Sequence, residues 1–212
     1  MKRFLSTALL ALLAVIAVAP LAAQGSPTGW MVRADRSTQA SDPDAAGDVK
    51  FTTMGSGFHA VNPQAAVYWN PANIAKGAYT VKANITLMKP SGHNNYYGLV
   101  FGGSDLGAAN QSYLYFLIAQ DGSWLVKHRA GDATHSVGAK TPNDAIKKPG
   151  ADGKSTNALE VRVLADKIDF AVNGTVVYSA PKSGMTSTTD GIYGIRVNHL
   201  LEVHIDGFGL AK

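Results

Sequence analysis

The chain has no cysteine among its 212 residues. No disulfide can form and no thiol is available for lipid attachment, so stability must come from a packed core. Glutamate is scarce: Glu160 and Glu202 are the only two, and they are 42 positions apart. Retaining glycoside hydrolysis needs two carboxylates about 5–5.5 Å apart, and no short motif here supplies them. There is no Gly-x-Ser-x-Gly elbow and no His-Glu-x-x-His pair. Gly102–Gly107 is glycine-rich but lacks the lysine and helix of a phosphate loop. Charge of one sign is not concentrated anywhere. With Lys2 and Arg3 removed, the 19 basic residues become 17 against 15 acidic ones, a net +2. A nucleic-acid partner is therefore not expected. Past the first 23 residues, no stretch keeps a 3.6-residue apolar period.

What is present begins with a targeting pattern. Lys2 and Arg3 precede an apolar run through Ala19, followed by Pro20 and the small residues Ala22 and Ala23. This is the charged start, apolar middle and small-residue end of a secretory signal peptide. Ala8–Ala19 is too short for a membrane-spanning helix, which needs about 20 residues. The sequence predicts a signal peptide over 1–23, cleaved after Ala23 or Gly25, and one domain over 24–212. The protein is expected to be secreted or periplasmic, with no membrane association after cleavage. A domain of that length buries roughly 70% of its unfolded surface.

The remainder reads as short strands. Gly29–Ala34, Val49–Thr53, Gly57–Val61 and Ala65–Trp69 are extended runs punctuated by Gly, Asn and Pro, with Asn70-Pro71 ending the last. Ala78–Met88 alternates strictly: Tyr79, Val81, Ala83, Ile85 and Leu87 face one way, Thr80, Lys82, Asn84 and Thr86 the other. Tyr96–Gly102, Gln111–Gln120 and Ser123–Arg129 form a central unit. Ala130–Lys154 reads mostly as loop. Asn157–Ala180 reads as a three-stranded meander closed by Asn173-Gly174, a strong two-residue hairpin signal. Gly191–Asn198 and Leu201–Leu210 follow. Ten to thirteen short strands with frequent turns indicate an all-β, two-sheet antiparallel sandwich or barrel.

Several of these runs together resemble a known family. They are Tyr97–Phe101, Tyr113–Ile118 with Asp121-Gly122, Asn157–Val163, Ile168–Val177, Gly191–Val197 and His204–Phe208. In that order they resemble concanavalin A-like jelly rolls of the laminin G-like and 3-keto-disaccharide hydrolase-like branches, over the last two-thirds of the chain. The resemblance implies two curved sheets with a concave face where relatives hold carbohydrate. Two departures stand against transferring chemistry. The Glu-x-Asp-x-x-Glu strand of the glucanases is missing, and Leu114 stands where the hydrolase-like branch commonly has glutamate.

Asp121-Gly122 is read as a two-residue turn, so Gln120 faces Ser123. Counting outward puts Tyr113, Tyr115, Leu117, Trp124, Val126 and His128 on one face, and Leu114, Phe116, Ile118, Leu125, Lys127 and Arg129 on the other. The second is assigned to the core. The first then offers Tyr113, Tyr115 and Trp124 as stacking surfaces for sugar rings, with His128 beside them. Arg196 and Asn198 alternate with Ile195 and Val197 and enter the same groove. These six are the candidate ligand-binding residues. No catalytic and no metal-ligating residue is assigned, and no cofactor is expected. Asp42, Asp44 and Asp48 read as a solvated acidic loop, since Thr53 stands where a full calcium loop needs glutamate; a structural calcium there, with Asp206 contributing, is the lesser alternative. His204 and Asp206 read as a structural pair. The leading function is an exported non-catalytic sandwich that binds a glycan or cell-surface partner. Two alternatives stay open. One is a hydrolase or lyase on a sugar derivative using His128, Arg196, Asp105 or Asp169. The other is a structural or adhesive domain without a small ligand.

Overall fold

Residues 26–211 of the computed structural model are described; the expected export signal, 1–23, lies outside them. Fourteen strands form: β1 (Met31–Asp35), β2 (Lys50–Met54), β3 (Gly57–Asn62), β4 (Ala65–Ala75), β5 (Tyr79–Lys89), β6 (Tyr96–Ser104), β7 (Ser112–Ala119), β8 (Ser123–Ala130), β9 (Ala133–Pro142), β10 (Ser155–Val163), β11 (Lys167–Val172), β12 (Thr175–Pro181), β13 (Gly191–Val197) and β14 (Leu201–Leu210). They build two seven-stranded antiparallel sheets. Sheet A runs β1-β4-β13-β6-β7-β8-β9, and sheet B runs β12-β11-β10-β5-β14-β3-β2. This is the two-sheet sandwich the strand pattern indicates.

Period-two alternation makes the core. On β5, Val81, Ala83, Ile85 and Leu87 are buried, while Lys82 and Asn84 are exposed. Leu159, Val161 and Val163 of β10 pair with the same strand and point the same way. Opposite them, sheet A contributes Tyr97, Leu99, Phe101, Phe116 and Ile118. Phe101 and Phe116 meet Phe170 of sheet B at ring separations of 6.0 and 5.3 Å. Each such side chain contributes about 1.5–3 kcal/mol by leaving water. A few together match what a disulfide contributes, about 2–5 kcal/mol.

Three local expectations are corrected. Ala133–Pro142 is a strand, not loop. It pairs with β8 along the edge of sheet A, but its side chains are almost all exposed, so no apolar alternation marks it. Strand β4 does not stop at Asn70-Pro71. The ladder to β13 jumps from Trp69 to Ile74, and Pro71 falls inside that irregularity, where a missing N–H breaks no ladder bond.

The third correction moves side chains from one face to the other. Asn173-Gly174 is a two-residue turn, with φ of 51° and 84° and Val172 paired to Thr175. The turn at Asp121-Gly122 has three residues, Gln120–Gly122, and of these only Gly122 has positive φ. The Gly122 N–H donates to the Ala119 carbonyl at 3.0 Å, and Ile118 pairs with Trp124. One extra loop residue inverts β8 relative to β7. Trp124 and Val126 therefore join Leu114, Phe116 and Ile118 between the sheets, and Leu125 joins Tyr113, Tyr115 and Leu117 on the outer face.

Candidate functional site

The outer face of sheet A carries a second buried cluster, apart from the inter-sheet core. Val67, Trp69, Val100, Tyr113, Tyr115, Leu117 and Leu125 form it, and Leu106 from the β6–β7 loop completes it. The register lays these residues in rows across the sheet. Arg33, Val67 and Arg196 are successive neighbours on β1, β4 and β13. In the next row, Val100 of β6 lies between Gly194 and Tyr115.

Arg196 is the hub of this face and only 8% exposed. Its Nη1 donates to the Tyr113 hydroxyl at 2.8 Å and to Asp35 Oδ2 at 2.5 Å. Its guanidinium carbon lies 5.4 Å from the centre of the Tyr115 ring, within cation–π range. Burial pushes the Asp35 carboxyl up, but Arg196 beside it, with Arg129 and Arg33, outweighs that and holds it below the usual range. Burial pushes both the Tyr113 and Tyr115 phenols up. For Arg196, burial pulls the guanidinium down, and Tyr113, Asp35 and Tyr115 more than compensate. The charge at Arg196 is thus fixed by a carboxylate and two aromatic rings.

The structure separates the six sequence candidates. Tyr113, Tyr115 and Arg196 come together on the outer face, but Tyr113 is 1% and Tyr115 5% exposed, so neither offers a bare stacking surface. Trp124 lies between the layers, its ring stacked at 4.9 Å on Tyr178 of β12. The face assigned to it from sequence is wrong by the one-residue turn difference. His128 shares that displacement. It lines a cavity of about 270 Å³ with Ser112, Leu114, Met185 and Asp190, and its Nε2 is 3.1 Å from Ser112 Oγ. Burial, and then neighbouring His135, pull the His128 imidazole down.

Asn198 follows β13 at the end of this face, and its backbone N–H donates to the Tyr96 carbonyl at 2.8 Å. It lines a polar cleft of about 140 Å³ with Asp35, Ser37, Asp42, Asp44, Ala65, Asn95 and His199. Asn198 Oδ1 is buried and has no hydrogen-bond partner among the described residues. Tyr96, beside Asn198, is half-buried. Sequence reasoning passed over Asp35, Asn95 and Tyr96. Tyr96 had a usable signal, since it alternates with the core residue Tyr97.

The residues of the hydrolase alternative sit on separate elements. Asp105 is in the turn after β6, where its carboxylate accepts from Asn110. Asp169 is on β11 of sheet B, held by Ser179 and Lys167. Glu160 pairs with Arg162 and Glu202 with His59, both on sheet B. His204 Nε2 lies 2.9 Å from Asp206 Oδ2, so the two are paired as the sequence suggests. Asp206 is thus engaged away from the early loop. Asp42 and Asp44 instead meet His93 and His199, where Nε2 of each imidazole approaches Asp42 Oδ1.

No family model matches the chain, and no curated sequence does. Solved structures do. The carbohydrate-binding module CBM66 from Bacillus subtilis is similar over 90% of this chain and 99% of its own, at 13% identity and TM-score 0.61. A glycoside hydrolase family 16 protein of Bacteroides ovatus, in complex with a mixed-linkage glucan product, is similar over 84% and 92%, at 10% identity and TM-score 0.57. A Bacillus subtilis protein of unknown function with a galectin-like fold is similar over 85% and 88%, at 13% identity and TM-score 0.56. The class follows: this chain is a β-sandwich with the concanavalin A-like jelly-roll fold.

Proposed function

We propose that the protein is exported and binds a carbohydrate, without cleaving it, at the polar cleft beside Asn198. The observation that carries this reading is the cleft's composition. Carboxylates, amides and a hydroxyl converge there, which suits a ligand made of hydroxyls. The size argues for a small ligand portion. At about 140 Å³ the cleft is well below the ~300–1,000 Å³ of sites that enclose drug-sized molecules, so it fits one terminal sugar unit. Structures of this fold include a carbohydrate-binding module and a glucan-bound hydrolase, which makes a saccharide the natural class to test first. The glutamates, each paired on sheet B, favour binding over glucanase-type hydrolysis.

The test is a glycan array on the mature chain, followed by titration calorimetry with the best hit. Asn198→Ala and Ser37→Ala, both at cleft-lining positions, are expected to weaken binding at least tenfold with little change in melting temperature. An array without signal, or equal affinity in both variants, would refute the reading.

A further inference from the structure

We infer that Asp42, His93 and His199 form a binding site for one divalent transition-metal ion of the zinc class. Three donor atoms close a small triangle. His93 Nε2 and His199 Nε2 are 3.1 Å apart, and Asp42 Oδ1 is 2.9 Å from the first and 3.2 Å from the second. An ion about 2.0–2.1 Å from each donor, in tetrahedral geometry, spaces its ligands at about 3.3 Å. The triangle is already nearly that size. The three residues belong to three different loops: the β1–β2 loop, the β5–β6 loop and the β13–β14 turn.

The protonation pattern points the same way. His199 Nδ1 is 3.0 Å from Asp44 Oδ1, and a carboxylate there accepts, so Nδ1 carries the proton. In the neutral ring, Nε2 then presents a lone pair. That lone pair faces a carboxylate oxygen and a second imidazole nitrogen, which also stands 3.0 Å from the Asn95 amide. With His93 Nε2 also unprotonated, the three donor atoms converge on one point, and a cation there satisfies all three. A carboxylate behind a ligating histidine is the usual orienting arrangement at zinc sites. Asp44 thus acts as a positioning residue.

Donor type selects the ion. Two imidazoles and one carboxylate suit zinc and its transition-metal neighbours, whereas calcium takes six to eight oxygens. Three protein ligands leave a fourth position for water or another ligand. Asp42 and His199 line the cleft described above, so the ion would sit in its wall. In a chain without disulfides, it would also tie three loops together at one end of the sandwich. The inference does not depend on carbohydrate binding.

The competing arrangement is hydrogen bonding alone, with a proton on His93 Nε2 or on a doubly protonated His199 donated to Asp42. The experiment separates the two. Mature protein dialysed against EDTA is titrated with Zn²⁺ by calorimetry and with Co²⁺ by visible absorption. The expected result is one equivalent of either ion, a tetrahedral Co²⁺ spectrum, and no displacement by a tenfold excess of Ca²⁺. His93 is exposed, so His93→Ala folds, and it should lower affinity at least a hundredfold. Asp44→Asn should lower it roughly ten- to a hundredfold. Less than a tenth of an equivalent bound, unchanged binding in His93→Ala, or displacement by Ca²⁺ would each overturn the site. Repeating the glycan titration in EDTA keeps the two readings distinguishable, because it reports on carbohydrate alone.

Discussion

The hairpins at Asn173-Gly174 and Asp121-Gly122 look alike in sequence and differ in the structure. Both place an Asx-Gly pair between apolar, β-prone arms. Asn173 adopts positive φ and spends its side chain on three hydrogen bonds: it accepts from the Ala158 N–H and donates to the Ala145 carbonyl and Asn157 Oδ1. Asp121 keeps ordinary φ and uses its carboxylate to accept from the N–H and hydroxyl of Ser123. An aspartate folded onto its own following residues lengthens the turn by one position. That position decides which face Trp124 takes. The two Asx side chains bind different partners, and the two loops differ by one residue.

The largest test of this contrast is Trp124→Ala. With the indole stacked on Tyr178 between the layers, truncation should cost about 3–5 kcal/mol in urea unfolding. An outward indole would cost well under 1 kcal/mol. Asn173→Ala should cost about 1–3 kcal/mol by the same measurement, since it leaves the buried Asn157 and two partly buried backbone groups without that partner at a positive-φ position. A smaller effect should appear in acid. Asp35 stays ionised in the native state at a pH where the unfolded chain is already protonated, because its folded value lies below the ordinary 3.8. Its contribution is therefore complete above about pH 4–5 and is lost as pH falls further. Asp35→Asn should flatten that limb in unfolding curves taken from pH 6 to pH 2. The least should be Asp121→Ala, about 0.5–1.5 kcal/mol, because its bonds are local and its side chain is partly in water.

The sandwich was legible because β5, β10 and β14 bury one face and wet the other, so alternation is written into them. Strand β9 was not, because all of Ala133–Pro142 except Val137 and Gly138 is exposed and its place depends on backbone bonds to β8. Parity within β7 was readable, since Leu114, Phe116 and Ile118 are the pure hydrocarbons. Parity across the turn depended on a local bond between Asp121 and Ser123 that composition does not show. The Arg196 hub was half legible: Arg196 and Tyr113 were placed on one face, but Asp35 lies 161 positions from its partner. His93 and His199 are 106 apart and come from loops, where no period links residues.

Among the described residues both sheets are open, so β1 and β9 in one and β12 and β2 in the other each leave one side of the backbone without a neighbour. Such margins are where ribbons grow from one molecule into the next. Here they are short or hostile to extension. Strand β9 presents Thr134, Ser136 and Lys140 and stops at Pro142; β12 stops at Pro181; β1 and β2 have five residues each and carry Arg33, Asp35 and Lys50. The same polarity that hid β9 from pattern reading guards the rim of the sheet against fibril-like stacking.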